Sequence, residues 1–226
     1  MPEQWIIGYG SLMDRASRTR QAPRAQAAFP AQVAGFSVGW FHQFKATADR
    51  SLSPTFLGAQ PSENTVCGGV LYKVTESDLK ATDDREMGYT RASVPFDAIT
   101  LLTGTGVALQ RDDRFWIYVS MEDYIGVPGK TFPLVQSYVD LCINGTLEAA
   151  QSYPATAGHF PGLWIDTIRW QLVSRNGNVW WLNDRAYPYR ASFTMPNASL
   201  IDTALAGSAH TADLWRTASR QFSLPL

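Results

Sequence analysis

Charge is scarce in this sequence, and what there is nearly cancels. Only 17% of the 226 residues are charged, and the net charge is −1. A protein that grips nucleic acid normally shows a strongly basic face, so that class is set aside. Histidine is also rare. The three present, His42, His159 and His210, lack metal-ligand spacing, and the two cysteines, Cys67 and Cys142, are too far apart to complete a zinc set. Two isolated cysteines in apolar surroundings read as buried free thiols, which suits a reducing compartment. No apolar run approaches the roughly 20 residues of a membrane-spanning helix. The N-terminal MPEQWIIGYG is acidic, with too short an apolar stretch for a signal peptide. The expectation is a cytoplasmic protein without nucleic-acid or membrane partner, metal or cofactor. The oligomeric state stays open.

What is present is a core. Apolar residues make up 45% of the chain, and several of its eight tryptophans fall in the last third, which predicts that this part is folded. QWIIGY reads as a buried strand. AQVAGFSVGWFHQFKA reads as one long or two short strands. Ser, Pro and Asn dominate residues 49 to 64, which predicts a loop. VCGGVLYKV, YTRASVPF, AITLLTG and RFWIYVS are further strands. TESDLKATDDREMG opens on a capping-box pair, Thr75 and Asp78, and Gly88 stops that helix. FPLVQSYVDLCING reads as an amphipathic helix ended by Gly145, with a second short helix after it. TIRWQLVSRNGNVWWLND reads as a hairpin around Asn176 and Gly177. Residues 199 to 222 read as helical, interrupted near Gly207. Strands and helices do not alternate regularly. The fold class expected is α+β, a small mixed barrel or strongly curved sheet with a few flanking helices.

Several motifs fail on inspection. GFSVG, around Ser37, matches a nucleophile elbow by letter, but the bulky WFHQFKA follows where a helix is required. GVPGKT has the wrong spacing for a phosphate loop, and Pro128 lacks the N–H such a cradle uses. GTG at Gly104 reads as a turn. Arg15, Arg18, Arg20 and Arg24 read as a solvated helix face.

Two stretches survive. GYGSL, from Gly8 to Leu12, follows the first strand. Its glycines let the backbone approach a ligand, and successive N–H groups in such a turn can converge on one negative oxygen. It is equally the common case of a glycine turn after a strand. ATDDREMGYTR places Glu86 on the last helical turn, facing the negative end of the helix dipole, with Asp83 and Asp84 beside it. Like charge and desolvation would suit such an acid to take and return a proton near neutral pH. Taken alone, the stretch also fits a wet helix end.

In this order, YGSL and DDREMGY resemble the γ-glutamylcyclotransferase-like superfamily. A third element agrees: SYVDLCING puts Tyr138 seven residues before Gly145. The resemblance spans about residues 6 to 148. Where the family often has Pro-Ser before that helix, this sequence reads FPLVQSY. The resemblance implies one pocket in a small barrel-like α+β domain, residues 1–150; the hairpin and helical extension read over residues 151–226 lies beyond it. It also implies cyclisation of a γ-glutamyl group to 5-oxoproline with release of the attached amine, amino acid or peptide. On this reading Glu86 is the catalytic acid/base. Tyr9, Gly10, Ser11 and Leu12 bind the glutamyl moiety through backbone groups, and Tyr138 lines the pocket. The partner is a small γ-glutamyl molecule. The alternative is a non-catalytic member that binds a small molecule in the same pocket.

Overall fold

The computed structural model describes residues 2–44, 53–102, 106–156, 159–170, 179–186, 188 and 197–221. The chain opens with β1 (Gln4–Gly8), α1 (Arg15–Arg18), the long strands β2 (Phe29–Gln43) and β3 (Thr55–Val74), and α2 (Glu76–Arg85). Then come β4 (Tyr89–Val94), β5 (Ile99–Leu101), β6 (Arg114–Ser120), the short β7 (Leu134–Val135) and α3 (Gln136–Ser152). The last third holds α4 (Phe160–Thr167), β8 (Ile168–Arg169), β9 (Trp181–Leu182), α5 (Ala198–Gly207) and α6 (Ala212–Gln221).

The architecture is α+β, built on one large mixed sheet. Its strand order is β4-β6-β1-β3-β2-β5, with β8 added to β2. The apolar β1 lies centrally, antiparallel to β3 and parallel to β6. Ile6 and Ile7 are fully buried there, with Val70, Leu71 and Ile117. A closed barrel, one form of the expectation, is not what forms. The path ends at β4 on one side and β5 on the other, strands of six and three residues that do not pair with each other.

Residues 49 to 64 were expected to be a loop, but the chain is already in β3 from Thr55. Pairing with β2 overrides the polar composition: Gln43 to Phe36 run opposite Thr55 to Pro61. The polar residues gather in a bulge. Ala34 opposes Val66 and Phe36 opposes Pro61, so residues 62–65 stand out of the ladder. Gly35 (φ +85°) and Asn64 (φ 61°) take the left-handed turns this irregularity needs. Ser37 is a strand residue opposite Gln60, as expected once the elbow is rejected.

Helix α2 begins as the sequence predicts, with both halves of the Thr75 and Asp78 capping box in place. Helix α3 does not stop at Gly145 but runs on to Ser152. The glycine serves packing instead. A Cβ at Gly145 would lie 2.5 Å from the Asp14 nitrogen and 2.6 Å from the Met13 carbonyl carbon, so the absent side chain lets the turn after β1 rest on the helix. The arginine face also needs correction. Arg18 is buried and donates to the carbonyls of Met13, Ala25 and Gln26 at 2.6, 2.8 and 2.9 Å, holding the segment after α1 in shape.

The last third of the chain packs into the same core. Phe160, Trp164, Trp181, Ile201, Leu205 and Ala218 belong to the buried cluster that contains Ile6 and Ile7. The expected break in the C-terminal helix falls between α5 and α6. The predicted turns at Gly104 and at Asn176 and Gly177 lie outside the described residues. Trp181 and Leu182, from the second half of that hairpin, form β9 and pair in parallel with β7. No helix among the described residues is long and apolar enough to cross a membrane.

Candidate active site

The turn after β1 brings Tyr9, Gly10, Ser11 and Leu12 against α3. Tyr9 is buried and pinned at both ends: its hydroxyl donates to the Tyr118 carbonyl at 2.7 Å, and its own carbonyl accepts from Trp164 Nε1 at 2.9 Å. Gly10 faces Tyr138 of α3. A Cβ there would sit 3.0 Å from the Tyr138 hydroxyl, so the glycine lets backbone and phenol approach. Ser11 opens a short 3-10 turn through Met13 in which Leu12 is buried. The Met13 N–H donates to the Gly10 carbonyl at 2.9 Å, which removes that amide from any ligand-binding set.

Glu86 is the C-cap of α2, its N–H donating to the Thr82 carbonyl at 2.9 Å. Gly88 then turns the chain at φ +79°, pressed so close to Tyr124 that a Cβ would lie 2.8 Å from the ring. The turn directs the Glu86 side chain inward, leaving it only 14% exposed. Its Oε1 lies 3.0 Å from Arg85 Nε. The two aspartates expected to crowd it are directed elsewhere. Asp83 accepts from the Tyr118 hydroxyl at 2.8 Å and lies 3.6 Å from Arg91. Asp84 pairs with Lys80 on the surface at 3.4 Å. The charge against Glu86 is thus the opposite one.

Arg85 joins the two motifs. While its Nε meets Glu86, one terminal nitrogen reaches Ser11 Oγ (3.1 Å) and Ser17 Oγ (2.9 Å), and the other reaches the Ser17 carbonyl (2.8 Å) and Gln21 Oε1 (2.9 Å). A planar guanidinium with donors in a fixed fork suits this bridging role. Spacing alone had not singled out Arg85. The available signal was its place beside Glu86 in a run whose other charges face water.

Phenols surround the pair. Burial pushes the Tyr9, Tyr72 and Tyr89 hydroxyls well above the ordinary tyrosine range, and the Glu86 carboxylate acts in the same direction on all three. They therefore remain neutral hydrogen-bonding groups at physiological pH. Tyr89 donates to the Leu57 carbonyl at 2.7 Å, and the Leu57 side chain lies against Gly10. Tyr138 is buried, edge-on to Phe56 and Trp40 with ring centroids 4.9 and 5.9 Å away. Glu86, Tyr9, Gly10, Ser11, Leu12 and Tyr138 thus meet in one neighbourhood, together with Arg85 and Tyr89. The described residues contain no group of His, Cys, Asp and Glu arranged to hold a metal.

The segment after β9 secures α3. Asp184 accepts from the Ser137 N–H (2.7 Å) and hydroxyl (2.6 Å) at the helix start. Arg185 binds the buried Asp140 through two nitrogens, at 2.8 and 2.7 Å, and meets Asp202 of α5. Ser137, displaced relative to the expected Pro-Ser, therefore has a partner of its own here.

No protein-family model matches the chain, and no curated protein matches it. Similar solved structures do exist. One named gamma-glutamyl cyclotransferase shares 18% identity at a TM-score of 0.48, covering 66% of this chain and 80% of its own. An uncharacterised human protein shares 18% at 0.47, covering 66% and 81%. A yeast gamma-glutamyl cyclotransferase specific to glutathione shares 14% at 0.45, covering 97% and 96%. At these identities the chemistry of this chain has to come from its own residues.

Proposed function

We propose that this protein cyclises a γ-glutamyl group to 5-oxoproline and releases the attached amine, with Glu86 as the single acid/base. The observation that carries the reading is the Arg85 guanidinium, which touches both the Glu86 carboxylate and Ser11 of the glycine turn. It ties an acid to a backbone turn suited to negative oxygen.

In the reaction, the substrate's α-amine attacks its own γ-carbonyl. That amine is largely protonated at neutral pH, so a base must first take a proton, the role of Glu86. Attack places negative charge on the carbonyl oxygen, and the amides of Gly10, Ser11 and Leu12 are the donors proposed for it. The Tyr138 hydroxyl, beside Gly10, fixes the glutamyl group against the turn. As the intermediate collapses, the bond to the leaving amine breaks and Glu86 returns its proton to that nitrogen. The ring nitrogen still holds one proton too many, and the same carboxylate carries it to the departing amine, which leaves as an ammonium. Two protons thus pass from one nitrogen to the other, and atoms and charge balance without water or a covalent enzyme intermediate. Holding the substrate folded supplies much of the rate, since effective molarities of intramolecular reactions reach about 10⁵ M or more.

Glu86→Gln preserves shape and removes the base. It is expected to lower kcat for 5-oxoproline release by roughly 10²-fold or more, with circular dichroism and Tm showing an intact fold. Full activity in that variant would remove Glu86 from the mechanism.

A further inference from the structure

Of the large apolar side chains left exposed among the described residues, Met87 follows Glu86 in the chain, and Met121, Ile125 and Val127 lie on the segment that meets Gly88, His42 and Gln43. The Met121 N–H donates to the Gly88 carbonyl at 2.9 Å, and Ile125 bridges to His42. Clustered apolar exposure of this kind marks a place where a ligand or partner is bound.

A connected set of rings leads from this surface to the reacting centre. His42 is fully buried and lies parallel to Tyr89 (centroids 3.7 Å apart) and to Tyr124 (5.5 Å). Phe44 stands edge-on to His42 (5.0 Å), Tyr124 (5.5 Å) and Phe56 (5.9 Å). Phe56 in turn stands edge-on to Tyr138, whose hydroxyl adjoins Gly10. Phe44, Phe56, Tyr89 and Tyr124 are half-buried. The cation–ring contacts among the described residues are elsewhere: Arg91 on Trp116, Arg111 on Phe96 and Arg185 on Trp215. Burial lowers the His42 pKa to about 4, so this ring too is neutral at physiological pH.

We infer that the amine released from the γ-glutamyl group carries an aromatic side chain, docked on Phe44, Phe56 and Tyr124. This rests on the proposed cyclisation and names its substrate class. The rings recognise the part of the substrate beyond the scissile amide: an aromatic side chain gains edge and face contacts there, whereas an acidic side chain would lose water against the rings' negative faces without gaining an ion partner. The chemistry is unchanged. The α-amine nitrogen forms a bond to the γ-carbonyl carbon, the bond from that carbon to the departing amine breaks, and Glu86 passes the protons shed by the attacking nitrogen to the departing one.

The test measures binding and turnover separately, with γ-glutamyl-phenylalanine, γ-glutamyl-alanine, γ-glutamyl-lysine and glutathione as probes. Calorimetry on the Glu86→Gln variant is expected to show γ-glutamyl-phenylalanine binding about tenfold or more tighter than the other three. The Phe/Ala ratio should fall towards one in Phe44→Leu and in Phe56→Leu, each checked for an intact fold by Tm. Equal affinities, or a preference for the lysine compound or glutathione, overturn the aromatic subsite whatever the turnover. So does an unchanged ratio in both folded variants. Absence of 5-oxoproline from all four probes with the binding preference intact would instead sink the cyclisation and leave the subsite standing.

Discussion

Gly145 and Gly162 are both helical glycines, and their surroundings give them opposite expectations. Replacing glycine by alanine inside a helix gains up to about 1 kcal/mol from propensity alone. At Gly162 in α4 nothing lies within 4 Å of an added Cβ, so Gly162→Ala should stabilise the protein by roughly 0.5 kcal/mol. At Gly145 the added carbon would meet backbone of Met13 and Asp14 at 2.5–2.6 Å. Backbone cannot swing aside as a side-chain tip can, so Gly145→Ala should cost about 2 kcal/mol or more. Urea unfolding of the two variants decides it, and equal stabilisation would mean that the close approach of turn and helix is wrong. Other residues differ in how far the sequence reveals them. Glu86 and the glycine turn were legible because a short pattern places both beside strand and helix ends. Arg85 was not, because a guanidinium turned inward onto Ser11 and Ser17 has the same letter as one in solvent.

Among the elements, α3 shows where local signals stop. The start of α2 was legible because its cap, Thr75 with Asp78, is contained in four residues. The start of α3 is satisfied by Asp184, 47 residues further along the chain, and no local pattern announces such a partner. The end of α3 was misplaced at Gly145 for the same reason: the glycine answers to the turn after β1, not to its own helix. Arg185 tests how firmly the C-terminal segment grips α3. The Asp140 side chain is fully buried, and burial raises its pKa while Arg185 works against that rise. Arg185→Met would leave this carboxyl without its ionic partner and should cost about 3–5 kcal/mol at neutral pH. Adding Asp140→Leu should recover part of that loss, because the stranded charge is then gone. A double-mutant cycle in denaturant reads the difference, and simple additivity of the two substitutions would refute coupling between them.

For the whole molecule, the α+β class was legible from irregular alternation of strands and helices. The open sheet was not, since which strands become edges depends on pairings such as β8 with β2, more than a hundred residues apart in the chain. His42 shows how that assembly creates a property absent from the sequence. It begins as one of three scattered histidines. Pairing of β2 with β3, and the bridge to Ile125, enclose it until it is fully buried, with Nδ1 3.1 Å from Ser120 Oγ and Nε2 without a hydrogen-bond partner among the described residues. Burial lowers its pKa from 6.5 to about 4. The unfolded chain therefore binds a proton at a pH where the folded one does not, and stability must fall as pH drops below 6.5 and level off below 4. Between pH 7 and pH 5 this one ring should remove about 2 kcal/mol. His42→Asn, which cannot titrate, should lack that part of the slope while keeping whatever the carboxylates contribute. Denaturant titrations of both proteins across this window measure it directly, and parallel curves would mean that the ring is as well solvated folded as unfolded.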